Sequence, residues 1–162
     1  MTYDLIVIGA GQAGPPLAYA FADAGRRVAL IEAHYLGGTC VNYGCTPTKT
    51  MMASARVAHT ARRATRYGVH VGDVKVNLEA VVARKNQIVL SFRSGQADRI
   101  EQNENIDLYR GRGKFTGPKT VEVDGGTLTA ETICINVGTR PRMPAIPGLG
   151  EVDALTNRTM LD

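Results

Sequence analysis

The sequence predicts an α/β fold in which a parallel sheet is flanked by helices, and three observations near the N-terminus support it. The short apolar run from Leu5 to Ile8 is typical of a parallel strand that is buried on both faces. A G-x-G-x-x-G pattern follows it from Gly9 to Gly14. After a stretch with helical spacing comes a second apolar run, Val28 to Ile31. This order of strand, glycine turn, helix and strand predicts a Rossmann-like unit that binds a dinucleotide.

The glycine pattern has a mechanical reason at each position. Gly9 permits the tight turn, Gly11 lets a pyrophosphate approach the backbone, and Gly14 brings the helix against the strand. The helix N-terminus then faces the phosphates. Glu32 ends the second apolar run, where a carboxylate can accept hydrogen bonds from a ribose diol. A glycine-rich turn without a ligand is the alternative, and the pattern alone does not distinguish NAD from FAD.

Composition narrows the classes of function. The chain has 162 residues, of which 44% are hydrophobic and 21% charged, as in ordinary globular domains. Its net charge of +4 suits a phosphate-bearing ligand, whereas binding of nucleic acid usually requires a concentrated basic patch. No apolar run approaches the roughly 20 residues that cross a membrane, and Asp4 stands where a secretory signal carries basic residues. We therefore expect a cytoplasmic protein, with neither nucleic acid nor a membrane as its partner.

Two of the three cysteines lie in the stretch GGTCVNYGCTPTK, from Gly37 to Lys49. Gly37 and Gly38 let the backbone pass close to a flat ligand. Cys40 and Cys45 have four residues between them and can close a small ring. A zinc site is disfavoured, because the spacing is not C-x₂-C and no second Cys or His pair follows. A redox pair, a structural disulfide and two unrelated buried thiols are the alternatives that remain.

The residues after the second cysteine predict a helix that begins there. Thr46 suits an N-cap and Pro47 suits the first helical position. Cys45 would then lie just before the positive end of a helix, which stabilises a thiolate. Lys49 adds a full positive charge one turn further on. These conditions favour a redox-active thiol at Cys45.

Together, the glycine pattern and GGTCVNYGCTPTK resemble the class I pyridine nucleotide-disulfide oxidoreductases, the group of dihydrolipoamide dehydrogenase, glutathione reductase and mercuric reductase. The resemblance covers essentially the whole chain as the N-terminal FAD-binding part of such an enzyme. It implies that the cofactor is FAD, and that Cys40 and Cys45 form a redox disulfide stacked against the isoalloxazine. Lys49 would lie near the reactive edge of the flavin. These three residues are the catalytic candidates.

The resemblance also assigns residues to cofactor binding along the whole chain. Gly113 and Lys114 match a segment whose backbone meets the adenine, and Gly138 and Thr139 match a second turn near FAD. Most members of the group have Ala-Thr-Gly where this chain has Asn136-Val137-Gly138, so a hydroxyl is missing. The cofactor-binding candidates are Gly9, Gly11, Gln12, Ala13, Gly14, Glu32, Gly37, Gly38, Thr39, Cys40, Lys49, Gly113, Lys114, Gly138 and Thr139.

Two helices are predicted in the middle of the chain. The first runs from Thr48 to about Tyr67, with a basic face towards solvent. The second begins near Leu78 with Asn77 as its cap, and Gly95 weakens its far end. No histidine has a spacing typical of a metal site, so we predict none. The apolar positions are Met51, Ala55, Ala58 and Ala61 in the first helix, and Val81, Val82, Ile88, Val89 and Phe92 in the second.

Strands are predicted again near the C-terminus. Ile106 to Tyr109 form one, and a hairpin joins Thr120–Val123 to Thr127–Ala130 through Asp-Gly-Gly. Thr132 to Val137 are predicted as a buried strand, with Cys134 as an inert core thiol. The resemblance implies a small antiparallel β-meander here, beside the main sheet.

The resemblance implies a complete enzyme much longer than this chain. We expect an FAD-binding domain over residues 1–150, and a tail over 151–162 that leads to an absent NAD(P)-binding domain. Hydride would pass from NAD(P)H to FAD, and electrons then to Cys40–Cys45 and on to a small-molecule or metal-ion substrate. Details such as GCTPTKTM favour the mercuric-reductase-like branch, with dihydrolipoamide or another disulfide as the alternative substrate. A homodimer is expected through a further absent domain, and this chain alone is expected to be inactive.

Overall fold

The elements are those of a computed structural model of the chain, which describes residues 1–161. The strands are β1 (Thr2–Ile8), β2 (Val28–Glu32), β3 (Ile106–Arg110), β4 (Lys114–Gly117), β5 (Thr120–Val123) and β6 (Gly126–Ile135). The helices are α1 (Gly14–Asp23), α2 (Gly38–Tyr43), α3 (Cys45–Arg62), α4 (Leu78–Glu101) and α5 (Asn157–Leu161). Short 3₁₀ turns span Ala64–Tyr67 and Leu149–Glu151.

The six strands form one mixed sheet in the order β3-β2-β1-β6-β5-β4. β1 lies between two parallel partners, so that Leu5 is opposite Val28 on one side and Thr132 on the other. β3 extends the parallel part, while β5 and β4 continue the sheet in antiparallel fashion. The predicted α/β class, a parallel sheet flanked by helices with an antiparallel meander, is confirmed.

β6 differs from the prediction of two separate strands. The predicted segments Thr127–Ala130 and Thr132–Val137 form one continuous strand that ends at Ile135. Its first half pairs antiparallel with β5, and its whole length from Thr129 onward pairs parallel with β1. The meander is therefore part of the main sheet. The predicted burial of the second segment is also wrong, since Thr132 is exposed and Ile135 is 64% exposed. Cys134 is only partly buried, at the margin of the core, and not the core thiol that was predicted.

Alternating side chains of the central strands build two apolar clusters on opposite faces of the sheet. Leu5 and Val7 face α1 and α4, where Ala18 and Ile100 pack against them. The other face of β1 and β2 packs against the meander. The members of that second cluster are Tyr3, Ile6, Ile8, Ala29, Ile31, Val121, Val123, Leu128 and Ala130. Burial on both faces explains the continuous apolar runs in the sequence.

A cluster of two tyrosines and an aspartate lies at the amino-terminal end of the sheet. The Tyr3 hydroxyl lies 2.6 Å from the Tyr109 hydroxyl and donates to Asp107 Oδ2 at 2.7 Å. Arg27 stacks over the Tyr3 ring and forms an ion pair with Asp107. Burial raises the pKa of Tyr3 well above its usual range, and the hydrogen bond with Tyr109 adds to this shift. The polar groups at this edge thus satisfy one another.

α3 is shorter than predicted. It ends at Arg62, and a 3₁₀ turn replaces its last predicted turn up to Tyr67. None of the residues in that turn is buried, so no packing favours a continued α-helix there. The predicted apolar face is also shifted, because Ser54 is half-buried whereas Ala55 is exposed.

α4 begins at the predicted residue and continues through Gly95 to Glu101. The Asn77 side chain caps it, since Oδ1 accepts a hydrogen bond from the Ala80 N–H at 3.0 Å. Lys85 is 2% exposed, and its Nζ donates to the Leu161 carbonyl oxygen at 2.7 Å. This bond holds α5 against α4. Within residues 1–161, no helix combines the length and the apolar character that a membrane span requires.

The cap of α4 gives a direct test of this helix boundary. Asn77→Ala removes the acceptor for the Ala80 N–H, so the free energy of unfolding should fall by about 1 kcal/mol. Urea denaturation followed by circular dichroism measures it. Asn77→Asp keeps the acceptor and should unfold like the original protein. Equal loss in both variants would contradict a capping role.

Candidate functional site

The glycine-rich loop between β1 and α1 forms one wall of a cleft at the carboxyl ends of the strands. Gly9 has a φ of +105°, and a Cβ there would overlap the carbonyl oxygen of Asn136. A Cβ at Gly14 would overlap the Gly9 carbonyl oxygen and lie 3.2 Å from the Val7 side chain. Only glycine fits these two positions. The loop therefore stays close to β6 on one side, while its backbone is accessible from the cleft.

Glu32 lies at the end of β2 with both carboxylate oxygens anchored. Oε2 accepts a hydrogen bond from the Ala10 N–H at 2.8 Å, and Oε1 accepts one from the His34 N–H at 2.8 Å. Each oxygen keeps a further lone pair, because a carboxylate oxygen can accept two hydrogen bonds. The carboxylate is held at the cleft wall and can accept donors from a ligand.

A second segment is tied to the glycine-rich loop from the other side. The Gly37 N–H donates to the Ala10 carbonyl oxygen at 2.9 Å, and Gln12 Nε2 donates to the Gly37 carbonyl oxygen at 3.1 Å. A Cβ at Gly38 would lie 2.7 Å from the Gly11 Cα. Absence of side chains thus lets α2, which carries Cys40, begin directly against the loop.

The two cysteines are joined as a disulfide, with 4.7 Å between their Cα atoms. Cys40 lies within α2, not in a loop, and Cys45 is the first residue of α3. The predicted helix start, with Thr46 as N-cap and Pro47 at the first position, is therefore wrong by two residues. The Thr48 N–H makes the first intrahelical bond, to the Gly44 carbonyl oxygen. Pro47 precedes it in the first turn, where a missing N–H breaks no helical bond.

The corrected boundary places both sulfur atoms near helix N-termini. Cys45 is exposed and begins the 18-residue helix α3, while Cys40 is half-buried in the six-residue helix α2. Lys49 lies one turn after Cys45 on α3. Cys45 therefore lies in the first turn of α3, where the partial positive charge of the helix N-terminus acts on its sulfur.

Two adjoining cavities meet at Cys40. The first has a volume of about 370 Å³, and the second, of about 540 Å³, contains Cys45 and Lys49. Gln12 and Cys40 line both. The first cavity is lined by Gly9, Gly11, Gln12, Glu32, His34, Tyr35, Gly38, Thr39, Cys40, Asn42, Tyr43, Asn136, Val137, Gly138, Thr139 and Arg158.

The structure brings together most of the predicted residues, but not all. Ala13 is the exposed N-cap of α1 and does not line the first cavity. A Cβ added at Gly113 would lie 3.3 Å from the side chains of Ile8 and Val121. Lys114 is the first residue of β4. Neither of these two lines the first cavity.

Several residues of the site were not predicted from the sequence, and three of them make contacts that shape it. Asn136 donates through Nδ2 to the Gly9 carbonyl oxygen at 3.0 Å, which fixes the glycine turn to β6. Asn42 is 2% exposed and binds the carbonyl oxygens of Leu36 and Gly38. Arg158 reaches the cleft from α5 and lies 5.3 Å from the centre of the Tyr43 ring. In the sequence, an asparagine at the end of a strand is only a weak sign of a site residue. No sequence pattern indicates that α5 packs beside the cleft.

Titratable clusters do not point to a metal. Within the described part of the chain, no group of three or more His, Cys, Asp or Glu side chains lies close enough to hold a metal ion. A larger cavity of about 740 Å³ lies between α1 and α4 and shares Gln12, Phe92 and Gln96 with the cavity that contains Cys45 and Lys49. Among residues 1–161, the buried Tyr19 hydroxyl and Gln96 Oε1 have no hydrogen-bond partner.

The chain is similar in sequence and in fold to several known proteins. The chain is 36% identical over 160 residues to a mercuric reductase of Bacillus cereus, and covers 99% of itself but 25% of that protein. It is 37% identical over 150 residues to a dihydrolipoyl dehydrogenase of Chlamydia muridarum, covering 91% and 32%. Among solved structures, the HOCl-induced flavoprotein disulfide reductase RclA of Escherichia coli aligns with a TM-score of 0.79 and 32% identity, covering 99% and 34%. The chain thus spans a quarter to a third of the length of these proteins.

The family model agrees with the site. A model described as pyridine nucleotide-disulphide oxidoreductase matches residues 3–161, a range that contains both the glycine-rich cleft and the disulfide. This match is based on the sequence, and the similarity to RclA shows that the fold is alike as well. The chain therefore belongs to the pyridine nucleotide-disulphide oxidoreductase family.

Proposed function

We propose that the chain is the FAD-binding portion of a flavin-dependent disulfide oxidoreductase that uses NAD(P)H and reduces its substrate through Cys40–Cys45. The observation that carries this proposal is that the disulfide adjoins the glycine-lined cleft, with Cys40 in the walls of both cavities. Bound FAD would supply two-electron redox chemistry that amino-acid side chains lack. A homodimer, a cytoplasmic location and a division at residue 150 stay predictions.

The residues of the cleft fit a dinucleotide. Because Gly9 and Gly14 have no Cβ, the loop lies close against Asn136 and α1 begins close against the loop. The N-terminus of α1 therefore follows the loop directly. A pyrophosphate placed there would accept hydrogen bonds from backbone N–H groups. Glu32 would accept the hydroxyls of a ribose with the lone pairs that Ala10 and His34 leave unused. Arg158 would add a positive charge at the mouth of the cleft.

The side chains around the disulfide support a division of roles. After reduction, the α3 N-terminus and Lys49 would stabilise a thiolate at Cys45. A stabilised thiolate is a poorer attacking nucleophile. We therefore assign Cys45 to electron exchange with the flavin and Cys40 to thiol exchange with the substrate.

Mercuric ion is the first candidate substrate, because of the similarity to mercuric reductases. The cavity between α1 and α4 favours a second candidate, lipoamide or another organic disulfide. Its volume of about 740 Å³ can take an organic molecule, and the unpaired Tyr19 hydroxyl and Gln96 Oε1 could bind polar groups. Turnover of Hg(II), lipoamide and glutathione disulfide by a complete enzyme would decide between them.

A flavin-binding module without catalysis of its own is the alternative from another class. One simple experiment distinguishes it from the first proposal. NADPH is added without oxygen to the flavin-loaded chain, and bleaching of the yellow colour is followed. Absence of bleaching would support the module function for this chain, and bleaching would contradict it.

We predict that this chain binds FAD, but weakly, and that Glu32→Ala lowers the affinity further. Losing one charged hydrogen-bond partner typically costs about 1–3 kcal/mol, a factor of about 5 to 150 in the dissociation constant. Isothermal titration calorimetry measures it. Glu104→Ala, at an exposed glutamate before β3, should bind like the original. No binding at high FAD concentration would contradict the site, and tight binding would contradict the predicted weakness.

We predict that the two cysteines differ in their contact with flavin. In a flavin-loaded complete enzyme after reduction, Cys40→Ser should keep the long-wavelength absorption of a thiolate beside flavin, because Cys45 remains. Cys45→Ser should lose it. Absorption spectroscopy of the two variants measures the difference. The band appearing in the Cys45→Ser protein would reverse the assignment, and its absence from both would contradict a shared site.

A further inference from the structure

A side chain of α4 contacts the segment that carries Cys40 at two points. The Arg93 Nε–H donates a hydrogen bond to Asn42 Oδ1, on the helix that contains Cys40. The Arg93 guanidinium also lies 3.8 Å from the centre of the Tyr35 ring. Tyr35 precedes α2 and lines the glycine-rich cleft. One arginine thus holds both the approach to α2 and its last turn.

Asn42 transmits this contact to the start of α2. Its Nδ2 donates to the Leu36 carbonyl oxygen at 3.0 Å and to the Gly38 carbonyl oxygen at 2.8 Å. The arginine side chain has donors but no acceptor. Arg93 can therefore bind only the oxygen of the amide, which leaves both N–H donors for the carbonyls. If the amide were reversed, its oxygen would face two carbonyl oxygens.

The chain of contacts fixes the turn that places Cys40. Gly37 and Gly38 have φ values of +92° and +57°, a left-handed conformation that is bonded to the glycine-rich loop. Asn42 bridges this turn from the far side of α2, and it is 2% exposed. A buried amide that lost its partner would cost free energy, so the orientation set by Arg93 is strongly favoured.

We propose that Arg93 is a positioning residue that holds the Cys40 helix in register with Cys45 and the cleft. The inference rests on the proposed redox role of Cys40–Cys45. In the disulfide form the covalent bond itself fixes Cys40. In the reduced form the Arg93–Asn42 contact keeps the two thiols close and so raises their effective concentration for closing the bond. Loss of the contact frees Cys40 in the reduced form and makes the disulfide easier to reduce.

The test is an equilibrium of the chain with dithiothreitol. The dithiol gives two electrons and two protons to the disulfide, producing two protein thiols and the cyclic oxidised reagent. In Arg93→Met, the equilibrium constant should shift towards the reduced protein by about tenfold, as expected for loss of one charge-assisted hydrogen bond. Arg93→Lys keeps a donor without the planar geometry and should shift less.

The matched control is Arg99→Gln, on the same helix. Arg99 also stacks on a tyrosine, with 4.0 Å to the Tyr19 ring, but contacts neither Asn42 nor Tyr35 in the described contacts. Its equilibrium constant should equal that of the original chain. An unchanged constant in Arg93→Met, or an equal shift in Arg99→Gln, would overturn the proposal, because a general loss of stability does not select the disulfide.

Hydrogen exchange of the reduced chain gives a readout that does not depend on redox function. The backbone amides of α2 should exchange faster in Arg93→Met and not in Arg99→Gln. Unchanged α2 exchange in Arg93→Met would overturn the positioning role. A disulfide that cannot be reduced and re-formed reversibly in the original chain would contradict the proposed function, and the exchange data would then decide the role of Arg93 alone.

Discussion

The structure depends on three backbone segments that approach one another too closely for side chains. The turn at Gly9 lies against the end of β6, Gly14 lies against that turn, and Gly38 lies against Gly11. Each contact excludes a Cβ. As a result, the end of the sheet and the start of the Cys40 helix both pack directly on the glycine-rich loop of the cleft, and a displacement of the loop would move the other two.

The local part of this arrangement could be predicted from sequence, and the long-range part could not. The first strand, turn and helix follow from a pattern within Leu5 to Gly14, and Asn77 marks the start of α4 through a capping rule. The start of α3 was misplaced because Thr46-Pro47 satisfies capping rules equally well in the first turn. The union of two segments into β6 depends on pairing with β1, over a separation of 127 residues at Thr2 and Thr129, which no local pattern encodes.

The amino-terminal and carboxyl-terminal ends of the parallel strands differ in how their polar groups are hydrogen-bonded. At the amino edge, Tyr3, Asp107 and Tyr109 bond to one another, and burial raises the pKa of Tyr3. At the carboxyl edge, the glycine loop has accessible backbone groups, and Glu32 keeps lone pairs available. A closed edge stabilises the fold, while an edge with unfilled hydrogen-bonding capacity can bind a ligand. This asymmetry makes the carboxyl end of the sheet the candidate site.

The position of β6 also constrains the order in which the chain can fold during synthesis. β1 precedes both of its neighbours in the chain, and one of them is completed only at Ile135. Until then, one edge of a strongly apolar strand has no partner, and exposed edges of this kind favour association between chains. During synthesis β1 therefore stays half-paired until Ile135 has been made, which makes this stretch a natural place for a chaperone to act.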